Sequence, residues 1–244
     1  PIPSRGLGDV YKRQFPIQMA FIESLNDDFG WGKGFIKAYR MLANDFLYAE
    51  PYNLVIFPDN HDMTRFFTQV KNDLDLFYMG IVYYVTMRGI PQFFYGTEIL
   101  MNSNENPGNH GLIRSNFPGG FPGDKVNAFT REGLNSDQIK TLDFFKKLLN
   151  WRKSNETIHH GKLIQFAPKT GGKDEIYSYF RIHQGKKVWV LFNRNDQAKQ
   201  VEMFRYRELI ENHKQGYEVL TDRKIDLGEK IIIEAKSSMI IELE

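Results

Sequence analysis

The stretch LVIFPDNHDMTRF, residues 54–66, joins a run of apolar side chains to a cluster of polar ones. Residues 54–57 are apolar without interruption, which predicts a strand of a parallel sheet that is buried on both faces. The polar cluster that follows contains Asn60, His61 and Asp62. In barrels of parallel strands, functional side chains gather at the carboxyl ends of the strands. The stretch therefore predicts a functional site at the end of a buried strand.

The sequence on both sides of this stretch alternates between helical and strand patterns, which indicates an α/β architecture. Residues 34–47 and 73–87 carry apolar side chains at helical spacing, and the second segment begins at an Asn or Asp that can cap a helix. Residues 92–95 predict another short strand. Asn135 with Gln138 three positions later forms a capping-box pattern, which predicts the start of a further helix.

From residue 161 onward the chain consists of short segments rich in β-branched and aromatic residues, which predicts an antiparallel β domain. Residues 176–182 alternate in character, so we expect a sheet with two differently solvated faces, as in a small sandwich. His159 and His160 stand just before this domain. Neighbouring residues on a strand point to opposite faces, so exposed loop histidines are expected there rather than a metal site.

Three segments occur in a specific order: FPDNHDMTRF at 57–66, GIPQFFYGTE at 89–98 and NFPGGFPGD at 116–124. The first two resemble the segments at the ends of the seventh and eighth barrel strands in glycoside hydrolase family 13, the α-amylase family. The third resembles a loop of the neopullulanase and cyclomaltodextrinase branch of that family. The resemblance covers essentially residues 15–244.

This resemblance implies an α/β fold in which the C-terminal portion of a (β/α)8 TIM barrel precedes an antiparallel β-sandwich domain. Residues 15–157 would supply the last strands and helices of the barrel, and residues 158–244 the β domain. Residues 1–14, PIPSRGLGDVYKRQ, show neither helical nor strand periodicity and resemble translated sequencing adaptor. We expect them to be a non-native leader, and long-read sequencing of the locus tests this expectation.

The resemblance also implies roles for three residues, and the position of Arg65 near Asp62 in the sequence suggests a role for a fourth. Asp62 would be the carboxylate that stabilises the transition state by holding two hydroxyls of the sugar ring. His61 would donate to a neighbouring hydroxyl, Asn60 would orient the turn at the substrate, and Arg65 would steer the Asp62 carboxylate at the substrate-binding site. Each assignment has an alternative. For residues 60–62, the alternative is that the tripeptide caps the following helix. For Arg65, it is an exposed surface arginine.

A retaining glycosidase also needs a nucleophilic carboxylate and a carboxylic acid about 5 Å apart. In the family these lie on the fourth and fifth strands, and Glu23, Glu50 and Glu105 lack the strand-end context to replace them. The resemblance thus implies part of a retaining hydrolase of α-1,4 and also α-1,6 glucosidic bonds, and this chain alone is expected to be inactive. The alternative is a non-catalytic carbohydrate-binding or transporter-associated protein with the same barrel, and the upstream motifs discriminate the two. An aldolase or isomerase barrel would need a lysine or a phosphate-binding glycine loop near the strand ends.

The nearly balanced charge favours a neutral molecule as the partner, and the resemblance implies an α-glucan oligosaccharide or polysaccharide. The 32 basic and 30 acidic residues nearly cancel, so no electrostatic footprint for nucleic acid exists. The longest apolar run, residues 76–87, is too short for a membrane span. The chain has no cysteine, which leaves periplasm and cytoplasm equally open. No cofactor or metal ligand is assigned; calcium and the oligomeric state are left open.

Overall fold

The computed structural model describes residues 13–28, 30–168, 176–228 and 230–243. Residues 1–12 of the expected leader lie outside the described part of the chain. The first half contains seven helices and two strands within the described residues. In chain order these are α1 Phe15–Asn26, α2 Ile36–Leu42, β1 Val55–Ile56, α3 Phe66–Gln69, α4 Leu74–Thr86, β2 Ile90–Pro91, α5 His110–Ile113, α6 Ser136–Lys153 and α7 Glu156–His160. Short 3-10 turns lie at Asp45–Leu47, Pro51–Asn53 and Thr97–Ile99.

Strands β1 and β2 pair in parallel, with Val55 opposite Ile90, and α4 forms the crossover between them. On the other side of β1, Arg13 forms a parallel bridge to Val55. The buried strand predicted at 54–57 is confirmed, although only two of its residues pair. The strand predicted at 92–95 is wrong, because pairing ends when the Gln92 N–H donates to the Ile56 carbonyl and the chain then turns towards the strand-end loops.

The helices with strong capping signals begin where the sequence predicts. Asp73 accepts from the backbone N–H of Leu76 at the start of α4, and both bonds of the Asn135–Gln138 capping box open α6. The helix predicted over 34–47 is shorter, since α2 ends at Leu42. The α-helix stops before Asp45 because the Asp45 carboxylate pairs with the buried guanidinium of Arg88 (Nε–Oδ2 2.7 Å).

The second half is an antiparallel sheet of six strands in the order β3-β4-β5-β10-β7-β8, together with a separate pair of β6 and β9. The strands are β3 Lys162–Phe166, β4 Ile176–His183, β5 Lys186–Asn193, β6 Lys199–Gln200, β7 Gln215–Glu218, β8 Arg223–Asp226, β9 Ile232–Ile233 and β10 Ser237–Leu243. A 3-10 turn at Met203–Tyr206 leads into α8, Arg207–Ile210. In the described ranges, no helix combines the length and the apolar character that a membrane crossing requires.

Both faces of this sheet are buried, so the prediction of two differently solvated faces is wrong. On one face, Phe180 stacks on Trp189 with ring centroids 5.2 Å apart, beneath the β6–β9 pair and Tyr206. On the other face, Tyr177 and Phe192 belong to the same hydrophobic core as the helices of the first half. The helices of the first half therefore cover one face of the sheet, and the β6–β9 pair with Tyr206 covers the other.

Two arginines tie α4 to its neighbours: Arg181 ties it to the sheet, and Arg152 ties it to α6. The Arg181 guanidinium on β4 is fully buried and donates to the carbonyls of Thr86 (2.8 Å) and Gly161 (2.9 Å). Arg152 on α6 donates to the carbonyls of Val85 and Gly89. These donors satisfy carbonyls at the carboxyl end of α4 that have no partner within the helix.

Candidate functional site

The carboxyl ends of β1 and β2 lie at the same edge of the parallel pair, and the polar tripeptide forms a tight turn there. The backbone N–H of Asp62 donates to Asn60 Oδ1 (2.8 Å), and the Asn60 amide group also contacts Met63 Sδ (3.3 Å). Both polar ends of the Asn60 side chain are therefore used inside the turn. The Asn60 side chain is therefore an internal part of the turn that carries His61 and Asp62.

The Asp62 carboxylate is held between two partners and stays open to solvent. Its Oδ2 lies 3.1 Å from His61 Nε2, and its Oδ1 accepts from Arg114 Nη2 at 2.7 Å. The side chains of Asp62 and His61 are 57% and 51% exposed. A carboxylate fixed by two donors and still accessible can accept hydrogen bonds from a bound hydroxyl-rich ligand.

Arg114 is the residue that sequence reasoning missed. It follows α5, and besides the Asp62 carboxylate it contacts the His61 carbonyl through Nε (2.9 Å) and His110 Nδ1 through Nη2 (3.2 Å). The sequence contains one relevant signal, because Arg114 stands two positions before the NFPGGFPGD segment at 116–124. Arg114 and Asp62 are far apart in the chain, so their contact leaves no periodic pattern in the sequence.

Arg65 is fully buried, so the alternative of an exposed surface arginine is wrong. Its guanidinium lies 4.1 Å from the centroid of the Phe94 ring and donates to the Tyr95 carbonyl. Its Nε and Nη2 have no hydrogen-bond partner among the described residues. Burial lowers the pKa of Arg65, and the nearby Asp59 carboxyl opposes that effect. The arginine that contacts the Asp62 carboxylate is Arg114, and Arg65 instead braces the two strand-end loops against each other.

Asp59 is a second residue that the sequence did not single out. Its carboxyl is buried, accepts from the Phe66 N–H (2.7 Å) and accepts from Thr97 Oγ1 (3.3 Å). Burial raises its pKa to about 6. The first N–H of α3 is thus satisfied by Asp59, while the carboxylate of Asp62 faces Arg114 and His61. The tripeptide at 60–62 therefore does not cap α3, because Asp59, the residue just before it, accepts the first N–H of that helix.

The loop after the eighth-strand motif folds over the same edge. The Asp124 carboxylate accepts from the backbone N–H groups of Gly119 (2.8 Å) and Phe121 (3.1 Å), which closes the segment 116–124 on itself. Tyr95 donates to the Ser115 carbonyl (2.9 Å) and so anchors the start of the loop. Phe121 remains 57% exposed. The loop therefore presents an aromatic ring to solvent from a hydrogen-bonded frame.

The three glutamates that lack strand-end context in the sequence also lie outside the strand-end cluster in the structure. Glu23 lies on α1 and pairs with Lys37 (2.8 Å). Glu50 precedes the 3-10 turn at Pro51–Asn53, and Glu105 is exposed in the segment before α5. Neither the sequence nor the geometry assigns a nucleophile or a general acid to them.

Comparisons with known proteins agree with this architecture. Residues 163–242 match the family model described as Cyclo-malto-dextrinase C-terminal domain. A cyclomaltodextrin glucanotransferase of Geobacillus stearothermophilus is 38% identical over 151 residues, 62% of this chain and 18% of that protein. An α-amylase of Niallia circulans is 29% identical over 141 residues, 58% of this chain and 22% of that protein. The solved α-amylase of Geobacillus thermoleovorans, complexed with acarbose, superposes with a TM-score of 0.72 at 21% identity over 94% of this chain and 47% of its own.

The chain spans about a fifth of the length of these curated relatives and about half of the solved amylase. The structural likeness establishes the fold: the C-terminal portion of a barrel of parallel strands, followed by an antiparallel β domain. The parallel pair carries the two strand-end motifs in the expected order, and the β domain matches a family model of its own. On these grounds the chain is similar to the C-terminal part of the enzymes of the α-amylase family, glycoside hydrolase family 13.

Proposed function

We propose that this chain forms the C-terminal part of a retaining α-glucan hydrolase, in which Asp62 stabilises the transition state. The observation that carries the proposal is the Asp62 carboxylate, fixed by Arg114 and His61 at the carboxyl end of a parallel strand and open to solvent. Cleavage of a glycosidic bond passes through an oxocarbenium-like state in which hydrogen bonds to the sugar hydroxyls strengthen. A carboxylate that is already oriented stabilises that state at no cost of reorganisation.

The remaining roles are proposed on the same basis. His61 donates to a hydroxyl next to those held by Asp62, while Asn60 fixes the turn that presents both side chains. Arg65 acts as a positioning residue, since its side chain is buried beneath the strand-end loops. The nucleophile and the general acid come from a segment upstream of these residues, as in the family. The chain alone is then unable to cleave a glycosidic bond, because protonation of the leaving oxygen and capture of the glycosyl group both lack a residue.

The substrate class we propose is starch, pullulan or cyclodextrins, with cleavage of α-1,4 and also α-1,6 bonds. Support comes from the loop at 116–124, which resembles the neopullulanase branch, and from the match of the β domain to a cyclomaltodextrinase model. The exposed rings of Phe121 and Phe129 suit the flat apolar faces of glucose units. We further propose the division into a barrel part at 15–157 and a β domain at 158–244.

The test is Asp62→Asn in the full-length protein that contains this chain. The substitution removes a charge needed mainly in the transition state, so we expect kcat to fall by about two orders of magnitude or more while KM changes little. His61→Ala should cost less, because it removes one hydrogen bond to a hydroxyl. Far-ultraviolet circular dichroism serves as the folding control.

Three outcomes would count against the proposal. Near-normal kcat/KM in Asp62→Asn would remove Asp62 from the reaction, and a larger loss in His61→Ala would reverse the assigned roles. A full-length protein that binds maltooligosaccharides in calorimetry but releases no reducing sugar would favour the non-catalytic alternative.

A further inference from the structure

Three of the six histidines of the chain lie around one junction, outside the strand-end site. His159 and His160 end α7, and His183 ends β4 beside them. The rings of His160 and His183 have centroids 5.7 Å apart. The expectation that the two histidines point to opposite faces assumed a strand. That assumption is wrong, because His159 and His160 lie on a short helix.

A carboxylate on the same helix completes the cluster. One possible ligand atom from each of Glu156, His159 and His160 lies within 4.8 Å of the other two ligand atoms. Glu156 Oε2 and His160 Nε2 are already 3.3 Å apart. The spacing explains this, since residues three and four positions apart share one face of a helix. Small rotations of exposed side chains are sufficient to bring three ligand atoms onto one ion.

We propose that Glu156, His159 and His160 bind a zinc-type divalent cation, with His183 as the fourth ligand. Two or three imidazole nitrogens with one carboxylate oxygen match the preferences of zinc and not those of calcium, which takes oxygen ligands almost exclusively. Tetrahedral coordination needs no more than these four groups. Arg152, which lines the same surface cavity as His159 and His160, donates to the carbonyls of Val85 and Gly89.

The position of the site gives it a structural consequence. Helix α7 connects α6 to the first strand of the antiparallel sheet, and His183 stands at the turn between β4 and β5. An ion shared by these residues joins the connecting helix to the sheet edge. It binds the folded chain and not the unfolded one, so it raises the apparent stability by mass action.

The experiment is a titration of the purified chain with zinc chloride, in competition with a chromophoric zinc indicator, and the same titration with calcium chloride. We expect one zinc ion per chain and no competition by calcium. The double variant His159→Gln, His160→Gln should weaken zinc binding by about tenfold or more, and His183→Gln should weaken it to a smaller extent. His213→Gln, which alters a histidine between α8 and β7, is the matched control and should leave the affinity unchanged.

A second readout keeps the test independent of any folding defect. Zinc should raise the melting temperature of the unsubstituted chain and of His213→Gln, and it should leave that of the double variant unchanged. Zinc affinity retained in the double variant would show that the ion binds elsewhere. Absence of stoichiometric binding in the unsubstituted chain would show that Glu156 and His160 form only a solvated helical pair. Either outcome overturns the proposal.

Discussion

Arg114 holds the Asp62 carboxylate through an ion pair whose two side chains are both about half exposed. Exposed ion pairs of this kind contribute little to folding, typically less than about 1 kcal/mol. Their contribution to a reaction can be larger, since a displaced carboxylate no longer meets the sugar hydroxyls in the productive geometry. Activity and stability should therefore respond differently to the loss of this arginine.

We expect Arg114→Met in the full-length protein to lower kcat/KM between about tenfold and a hundredfold, with little change in the free energy of unfolding. Arg114→Lys should retain more of the activity. The matched control is Arg131→Met, which breaks an equally exposed pair with Asp143 (2.5 Å) away from the strand ends. Steady-state kinetics and urea unfolding of the three variants check the expectation, and equal kinetic losses in Arg114→Met and Arg131→Met would contradict it.

Asp59 makes the stability of the fold depend on pH. Burial raises the pKa of its carboxyl from 3.8 to about 6, so the folded state retains this proton at a pH where the unfolded state has lost it. The Asp59 contribution to the free energy of unfolding therefore falls as the pH rises between these two values, and is constant above them. At about 1.4 kcal/mol per pKa unit, the free energy of unfolding falls in total by on the order of 3 kcal/mol across this pH range.

Asp59→Asn should abolish that pH dependence while keeping an acceptor for the Phe66 N–H. The measurement is urea unfolding at several pH values across the window, in comparison with Asp196→Asn, which alters an exposed carboxyl of 82% side-chain accessibility. An unchanged pH slope in Asp59→Asn would show that the buried carboxyl does not titrate in this range.

At the scale of elements, α4 stands out because every residue from Met79 to Thr86 is buried. A helix that is apolar on all sides needs partners on all sides, and α4 packs on α1, α6 and the sheet. Its carboxyl end meets the buried guanidinium of Arg181, whose pKa burial lowers to about 10 and which thus stays charged at neutral pH. The termination of this helix depends on a residue of the sheet.

Arg181→Met tests this dependence. The substitution keeps much of the side-chain volume but leaves the buried carbonyls of Thr86 and Gly161 without these donors, so we expect a loss of about 3 kcal/mol in the free energy of unfolding. Arg223→Met, on the exposed strand β8, is the control and should change the free energy by less than about 0.5 kcal/mol. Urea denaturation measures both, and a loss as small as that of the control would show that water replaces the guanidinium.

Over the whole molecule, the parallel part of the structure has apolar side chains at its surface. Phe15 and Met19 on α1 and Ile90 on β2 are exposed to 38%, 58% and 53%. Parallel strands are normally covered on both faces and flanked by further strands. This surface suits the neighbouring strands of a complete barrel, which would also bring the nucleophile and the acid.

We accordingly expect the chain of residues 1–244, expressed alone, to release no reducing sugar from starch, pullulan or cyclodextrin. The reason is that one transition-state carboxylate cannot replace a nucleophile and a proton donor. The assay uses homogeneous protein with all three substrates, and a full-length sample is the positive control. Turnover by the chain alone that disappears in Asp62→Asn would show that other carboxylates of this chain carry the reaction.

Much of this architecture was predictable from local sequence signals, and the failures have a common physical origin. Caps at Asp73 and Asn135 involve residues three positions apart, so the sequence contains them directly. The strand at 90–91 and the ion pair between Arg114 and Asp62 depend on segments far apart in the chain, and no local pattern records such contacts. The short α7 has too few residues to show helical periodicity, which explains why His159 and His160 were predicted in a loop.

The shared core between the helices and the sheet has a consequence for recombining this chain with its relatives. Phe21 stacks on Tyr83 at 3.6 Å between ring centroids, and both rings contact Phe192 of the sheet. A chimaera that joins the β domain of one homologue to the barrel of another must therefore reproduce a matched aromatic surface and not only a linker. Crossover points placed inside α4 or β5 would separate these partners, whereas exchange of the β6–β9 layer leaves this surface in place.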